Sequence, residues 1–351
     1  MDVDRIVDYL ENSFLKDLLK KESITDISYN GQDIFYVDNN LGRIKSEIHP
    51  NPQEIKDFIR QIANLAEKQF SFQSPDLDVS FGRYRLDALH QSVCRKNNKE
   101  SICFSFRLAS SSLRVLEDKN FLTPELKELF TILINSNVSL VLGGLTGSGK
   151  TEFQKYLISL MSNNTRAIII DNILELDQMN YREDLDINVW QVDEKRSAVS
   201  IQNLVRTALR SNPDWIIVAE SRGKEMLDVL NSSLTGHPII TTLHAFDIHS
   251  MPYRMVRMVM MNEQKMNFED VYKDMTYHMR FYIYLKRKYT ANGRVQRFIS
   301  SIAYLNDGVM EEIYGSDGES KIYHALSTQA RKMLDLSNVS DLFSQTFLGG
   351  N

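Results

Sequence analysis

Cysteine is nearly absent: Cys94 and Cys103 are the only two in the chain. A pair is too few for a tetrahedral all-cysteine zinc site. A structural disulfide would need an oxidising compartment, which nothing else in the sequence suggests. The two residues flank RKNNKES and are expected as free thiols in neighbouring strands. Also missing is any run of about 18 or more uncharged apolar residues, the length a spanning helix needs. The N-terminus, MDVDRIVDYLENSFLKDLLKKE, interleaves Ile6, Leu10, Phe14, Leu18 and Leu19 with charges. It therefore lacks the apolar core of a signal peptide, and the expected location is the cytoplasm. A basic surplus is absent too: 41 Lys and Arg stand against 46 Asp and Glu, a net charge of −5. That balance argues against a dedicated nucleic-acid binder and leaves room only for a local basic patch. There is no internal repeat and no low-complexity tract.

What is present is an ordinary globular composition, 42% hydrophobic and 25% charged over 351 residues, enough for about two domains. After the first helix, TDISYNGQDIFYVDNNLGRIKSEI reads as short strands joined by Asn-Gly and Asn-Leu-Gly turns. PQEIKDFIRQIANLAEKQF is an amphipathic helix with Pro52 in its first turn. Strands follow in LDVSFGRYRLDALHQS and SICFSFRLA. Residues 1–109 are thus expected to form a smaller α+β domain, and the serine-rich stretch 110–120 a linker. From TPELKELFTILINS onward, helices alternate with short apolar strands: SLVLGG, RAIIID, DWIIVAE and PIITTLHA. Such alternation predicts a mostly parallel α/β sheet over 121–305. Residues 306–351 read as a tail with one amphipathic helix and no assignable role.

The chemistry is concentrated in VLGGLTGSGKTE. Gly144-Leu-Thr146-Gly147-Ser148-Gly149-Lys150-Thr151 satisfies the phosphate-loop pattern G-x-x-x-x-G-K-[ST] in full, between a strand and a helix. The glycines let backbone N–H groups turn inward around a β-phosphate, helped by the helix N-terminus. Lys150 supplies positive charge to the β- and γ-phosphates, and the Thr151 hydroxyl is placed for Mg²⁺. Glu152 adds a carboxylate nearby, and reads as a helix-first-turn acid favoured by the dipole.

Two downstream strands end in acids, Asp171 after Ile168-Ile-Ile and Glu220 after Ile216-Ile-Val-Ala. Strand C-termini of a parallel sheet open onto the ligand crevice, so both are expected to face the nucleotide. One would help hold Mg²⁺ and the other orient the attacking water. Thr235-Gly-His237-Pro-Ile-Ile-Thr-Thr242-Leu-His244-Ala245 then places a histidine at each end of an apolar strand. A zinc site built from His237, His244, Asp247 and His249 is disfavoured, because seven strand residues separate the first two by about 20 Å.

GGLTGSGKTE followed by ALRSNPDWIIVAESRGKEMLDVLNSSLTGHPIITTLHA resembles the type II/IV secretion-system ATPases, also called traffic ATPases. ITDISYNGQDIFYVDNNLGR, SFGRYRLDALH and SFR are similar to the N-terminal domain of the subgroup serving conjugative type IV secretion and Tad-type pili. The resemblance covers most of the chain. It implies a RecA-like P-loop NTPase C-terminal domain behind the smaller N-terminal one. It further implies ATP and Mg²⁺ as cofactors, with Thr151 and Glu220 at the metal. Catalytic roles fall on Glu220, Arg222, the Asp-box residues Asp171 and Glu175, and the His-box residues His237 and His244. Arg85 and Arg107 match N-domain arginines that reach the nucleotide. The implied assembly is a homo-hexamer, peripheral to the inner face of the cell membrane. There it would power conjugative secretion or pilus assembly beside an inner-membrane platform, with nucleic acid only as indirect cargo.

Three departures qualify the match: Asp171-Asn172 where the family has Glu-Asp, Ala219 for glycine, and Glu152 for threonine or serine. They leave binding intact and predict slow hydrolysis, so a nucleotide-binding scaffold that scarcely hydrolyses is the competing reading. A small-molecule P-loop kinase fits the His-box block and the separate N-domain poorly. Eight of the fourteen methionines lie in 251–279 and read as a pliable core or subunit contact. YLKRKYTANGRVQR reads as an exposed hairpin around Ala-Asn-Gly, with a DNA or lipid-headgroup patch as the alternative.

Overall fold

The first helix of the sequence reading is two helices. α1 (Val3–Glu11) starts at Asp2, whose carboxylate accepts the Arg5 N–H, and stops at Asn12; α2 (Lys16–Leu19) follows. Between them the Ser13 hydroxyl donates to the Leu10 carbonyl and accepts from the Leu15 N–H, the local side-chain bonding that competes with helix. The structure, a computed structural model, describes residues 2–110, 113, 121–177, 179–193 and 197–349. Apart from 110 and 113, the stretch read as a linker lies outside these residues.

The chain divides into two units. One comprises Met1–Ser111 with Ile173–Gln178 and Tyr289–Val295; the other comprises Ser112–Asn172, Met179–Lys288 and Gln296–Asn351. In the first unit, β1 (Ile24–Tyr29), β2 (Ile34–Asp38), β3 (Gly42–Lys45), β4 (Asp76–Phe81), β5 (Tyr84–Leu89) and β8 (Cys103–Leu108) form a sheet of order β3-β2-β1-β8-β5-β4. All its pairings are antiparallel. Period-two alternation buries Leu86, Phe104 and Phe106 with Phe58, Ile59 and Ile62 of α3 (Pro52–Leu65). The opposite strand positions hold Arg85 and Arg107, register partners across β5 and β8. α3 begins as the sequence predicts, with Pro52 in its first turn and the Asn51 side chain accepting the Glu54 N–H.

The expectation of free thiols is overturned. Cys94 and Cys103 form a disulfide, with Cα atoms 6.5 Å apart. Between them β6 (Arg95–Lys96) and β7 (Lys99–Glu100) pair antiparallel. Asn97 and Asn98 turn the chain in the left-handed region, at φ 49° and 61°, and this hairpin returns the second cysteine to the first.

The second unit opens with α4 (Pro124–Asn135), β9 (Leu140–Gly144), α5 (Lys150–Ser159), β10 (Arg166–Asp171), β11 (Asp186–Gln191), α6 (Ile201–Ala208) and β12 (Trp215–Val218). α7 (Met226–Leu234), β13 (Ile239–Leu243), α8 (Ser250–Val259), α9 (Phe268–His278), β14 (Phe281–Tyr289) and β15 (Val295–Asn306) continue it. β16 (Val309–Ser316), β17 (Lys321–Tyr323), α10 (Thr328–Lys332) and α11 (Asp341–Phe347) complete it. The sheet order is β11-β10-β12-β13-β9-β14-β15-β16-β17, parallel from β11 to β14 and antiparallel across β15, β16 and β17. IIID, WIIV and IITTL are buried along their whole length, as strands covered on both faces require. This is the mixed α/β sheet that the alternation of helices and apolar strands predicted, and it agrees with the RecA-like domain that the family resemblance implied.

Met251, Met255, Met258, Met275 and Met279 lie in the core beside α7, while Met261 is exposed. Residues past 306 add two strands to the sheet and two short helices, with Phe343 and Phe347 fully buried. The 289–295 hairpin turns at Gly293, where the Thr290 N–H donates to the Arg294 carbonyl. Among the described residues no helix is long and apolar enough to cross a membrane.

Candidate active site

Parallel register assembles the site. β13 lies beside β9 with Leu243 opposite Gly143, so the residues that follow, His244 and Gly144, meet at one sheet edge. β12 lies on the other side of β13, with Val218 opposite Thr241, which brings Glu220 to the same edge. The chain past β12 is clamped there. Ala219 N–H donates to the Ile170 carbonyl, Ser221 N–H to the Thr242 carbonyl, and Thr242 Oγ1 to the Ala219 carbonyl at 2.7 Å. Ser221 and Thr241 hydroxyls bond at 2.8 Å in the interior.

The phosphate loop runs from Gly144 to Gly149, between the end of β9 and α5. Gly147 has φ +76°, a left-handed backbone that favours glycine, and a Cβ there would stand 2.6 Å from the Arg287 Nη1. The Lys150 side chain is buried and folds back on its own loop, donating to the carbonyls of Gly144 at 2.8 Å and Leu145 at 3.3 Å. Its Nζ is also 3.3 Å from His244 Nδ1, and that ring nitrogen is 3.1 Å from the Gly144 carbonyl. The far ring nitrogen, Nε2, is 3.2 Å from Glu220 Oε1, and Glu220 Oε2 accepts from Arg222 Nη2 at 2.8 Å. Lys150, His244, Glu220 and Arg222 thus form one connected polar chain along the mouth of the loop.

Charges in this chain shift one another. Burial pushes Glu220 up, but Arg222, His244 and Lys150 outweigh it and hold the carboxyl below its ordinary range. Burial and the Lys150 ammonium push the His244 imidazole down, against the opposing pull of Glu220 and the Gly144 carbonyl. A neutral ring with its proton on Nε2 donates to Glu220 and accepts from the lysine, whereas a proton on Nδ1 serves the Gly144 carbonyl.

The loop fits a phosphate group. The Ser148 hydroxyl is 1% exposed and has no hydrogen-bond partner, an orphan that a buried anion oxygen would satisfy. Thr151 occupies the second position of α5, and Thr146 is exposed on the loop. Glu152 pairs with the buried Lys155 one turn on, at 3.0 Å, so a cation answers its charge within the helix. Asp171 ends β10 and is 3% exposed. Glu175, in the segment that clusters with the first unit, pairs with Arg107 at 3.2 Å. Arg107 also lies 3.5 Å from Asp26. Arg85 makes a two-pronged contact with Asp78, 3.1 Å on each prong.

His237 is not brought to the loop. It precedes β13 at the opposite sheet edge, 3.1 Å from the Thr235 hydroxyl. With Asn137, Asp214 and Trp215 it lines a polar pocket of about 520 Å³. Two residues that the sequence reading did not select do stand at the loop. Arg287 of β14 lies against Gly147, and Arg297 of β15 donates through Nε to the Gly147 carbonyl at 2.9 Å. The one signal for Arg287 was the basic run KRK directly after the apolar FYIYL.

The family profile described as type II/IV secretion system protein matches residues 96–271. An uncharacterized protein of Bacillus anthracis is 29% identical over 296 residues, covering 81% of this chain and 65% of that protein. This chain therefore spans slightly under two thirds of that relative's length. A Mycobacterium tuberculosis protein named for conjugal transfer is 26% identical over 253 residues, covering 69% of this chain and 71% of its own. Among solved structures, the Legionella pneumophila ATPase DotB aligns with a TM-score of 0.62 at 21% identity, over 84% of this chain and 80% of that one. At that identity the likeness is one of fold.

Proposed function

This chain belongs to the type II/IV secretion system protein family, and from that premise we propose that it is an ATP-hydrolysing motor of conjugative type IV secretion or pilus assembly. In this reading it works as a homo-hexameric ring at the cytoplasmic face of the membrane, against an inner-membrane platform. The observation that carries the proposal is the polar chain from Lys150 through His244 to Glu220 at the mouth of a complete phosphate loop.

Each residue then has a task. Lys150 leaves the Gly144 carbonyl for the β- and γ-phosphates, the Ser148 hydroxyl gains its missing partner, and loop N–H groups take the β-phosphate. Mg²⁺, held through the Thr151 hydroxyl with Glu220 near it, would neutralise charge developing on the phosphates. Glu220 and Asp171 orient the attacking water, and His244 links Glu220 to the state of Lys150. Arg85 and Arg107 are proposed to reach the nucleotide, and Glu175 and His237 to act in the working ring. The test is phosphate release from Mg-ATP under conditions that permit assembly, for the wild type and Lys150→Ala. Equal background rates in both would sink the motor reading.

One observation favours a second reading, a nucleotide-binding scaffold of the same complex with weak hydrolysis. Asp171 is short for its role, is buried, and is followed by the uncharged Asn172. Restoring Glu-Asp at 171–172 decides between them. A large gain in turnover supports the scaffold, and no gain in an already active enzyme excludes it.

A further inference from the structure

β14 carries three consecutive cations, and the pleat separates them. Lys286 lies over the Tyr284 ring at 5.9 Å, and Lys288 pairs with Glu319 at 3.1 Å. Arg287, between them, points to the other face. Leu285 is the register partner of Gly144, so two residues further along the same face Arg287 arrives beside the phosphate loop. Its Nη1 and Cζ stand 2.6 and 3.3 Å from where a Cβ on Gly147 would be. The side chain is exposed, and no carboxylate among the described residues pairs with it.

Arg287 therefore adds uncompensated positive charge to a loop that already contains Lys150 and is fastened by Arg297. A guanidinium with no carboxylate partner beside such a loop is a ready donor to an anion with several oxygens. A guanidinium offers a planar fork of donors matched to phosphate oxygens, which the loop's own backbone and ammonium groups do not supply.

We infer that Arg287 is a binding residue for the phosphate chain of the nucleotide, contributed from β14 of the same chain. The inference rests on the reading of Gly144–Thr151 as a phosphate loop. Arg287 reads phosphate and not base, so the ligand class it selects is any polyphosphate chain that fits the loop.

The experiment is calorimetric titration of the full chain with ATP and with inorganic tripolyphosphate, each at low and high salt. Wild type, Arg287→Gln, Arg287→Lys and Lys288→Gln are compared, and melting temperatures are recorded alongside to verify folding. Arg287→Gln is expected to weaken both probes by about tenfold or more, the loss of one charge-assisted contact, and to flatten the salt dependence. Arg287→Lys should restore part of the affinity. Lys288→Gln, an equal change of charge on the other face, should bind as wild type. Wild-type affinity in Arg287→Gln, or equal weakening in Arg287→Gln and Lys288→Gln, overturns the inference and leaves the phosphate loop standing. A wild type that binds neither probe removes the phosphate-loop reading and the inference together.

Discussion

His244 Nδ1 lies 3.3 Å from Lys150 Nζ, while Nε2 of the same ring lies 3.2 Å from Glu220 Oε1. An ammonium can only donate and a carboxylate can only accept. The Gly144 carbonyl, 3.1 Å from Nδ1, competes with Lys150 for that nitrogen, so three neighbours together set where the ring proton sits. Lys150 is the second cause, after burial, that lowers the pKa of this ring, so an anion that draws Lys150 away is expected to raise that pKa.

The first prediction concerns that ring. The His244 pKa, held below its ordinary 6.5 first by burial and then by Lys150, should rise in Lys150→Ala and fall further in Glu220→Gln. Histidine NMR titration of the three proteins measures this. A depressed pKa means the unfolded chain takes its proton first. His244 therefore costs the fold nothing above about pH 6.5, and lowers stability as pH falls from there toward the folded pKa. The melting temperature of His244→Gln should accordingly decline less than that of wild type between neutral and mildly acidic pH.

Glu220→Gln separates binding from turnover. Lys150, Ser148 and the loop backbone are untouched, so ATP should still bind. Phosphate release should drop by about a hundredfold or more, the loss of a group that orients or activates water. Turnover near the wild-type rate would remove Glu220 from the chemistry.

Gly143 is a packing glycine. A Cβ there would stand 2.4 Å from Met251 Sδ and 3.0 Å from Tyr284 Cδ2, so Gly143→Ala should destabilise by about 1–3 kcal/mol through overpacking. Met251→Ala clears that space, and the double variant should be less destabilised than the sum of the two singles. Urea unfolding of the four proteins gives the coupling.

Arg206 Nε lies 2.6 Å from Asp228 Oδ1, with the aspartate side chain 5% exposed and the arginine 56%. Removing the arginine strands a buried carboxylate whose other oxygen already lacks a partner. Because half of the pair faces solvent, Arg206→Ala should cost about 1–2 kcal/mol, below the cost of breaking a fully buried pair. Denaturant midpoints at constant slope are the measure.

Much of the second unit was legible because its signals are local. RAIIID, WIIV and IITTL are apolar runs that only a strand covered on both faces explains, and they are the central strands. G-x-x-x-x-G-K-T between a strand and a helix named its own geometry. Other readings failed where the cause was not local. Side-chain bonds at Ser13 split a helix that spacing alone made continuous. A turn at Asn97-Asn98 joined two cysteines that composition left apart.

The sequence by itself determined the alternation of strands and helices, the phosphate loop, and the separation of His237 from His244 by the length of one strand. These follow from backbone sterics and hydrophobic period, which act over a few residues. Only the tertiary structure decided which strand lies beside which. β13 next to β9 sets His244 against Lys150, and β14 on the other side of β9 carries Arg287 to Gly147. Strand order comes from how the helices and strands pack around a shared core, and residues 140 positions apart in the chain meet only once that packing is complete.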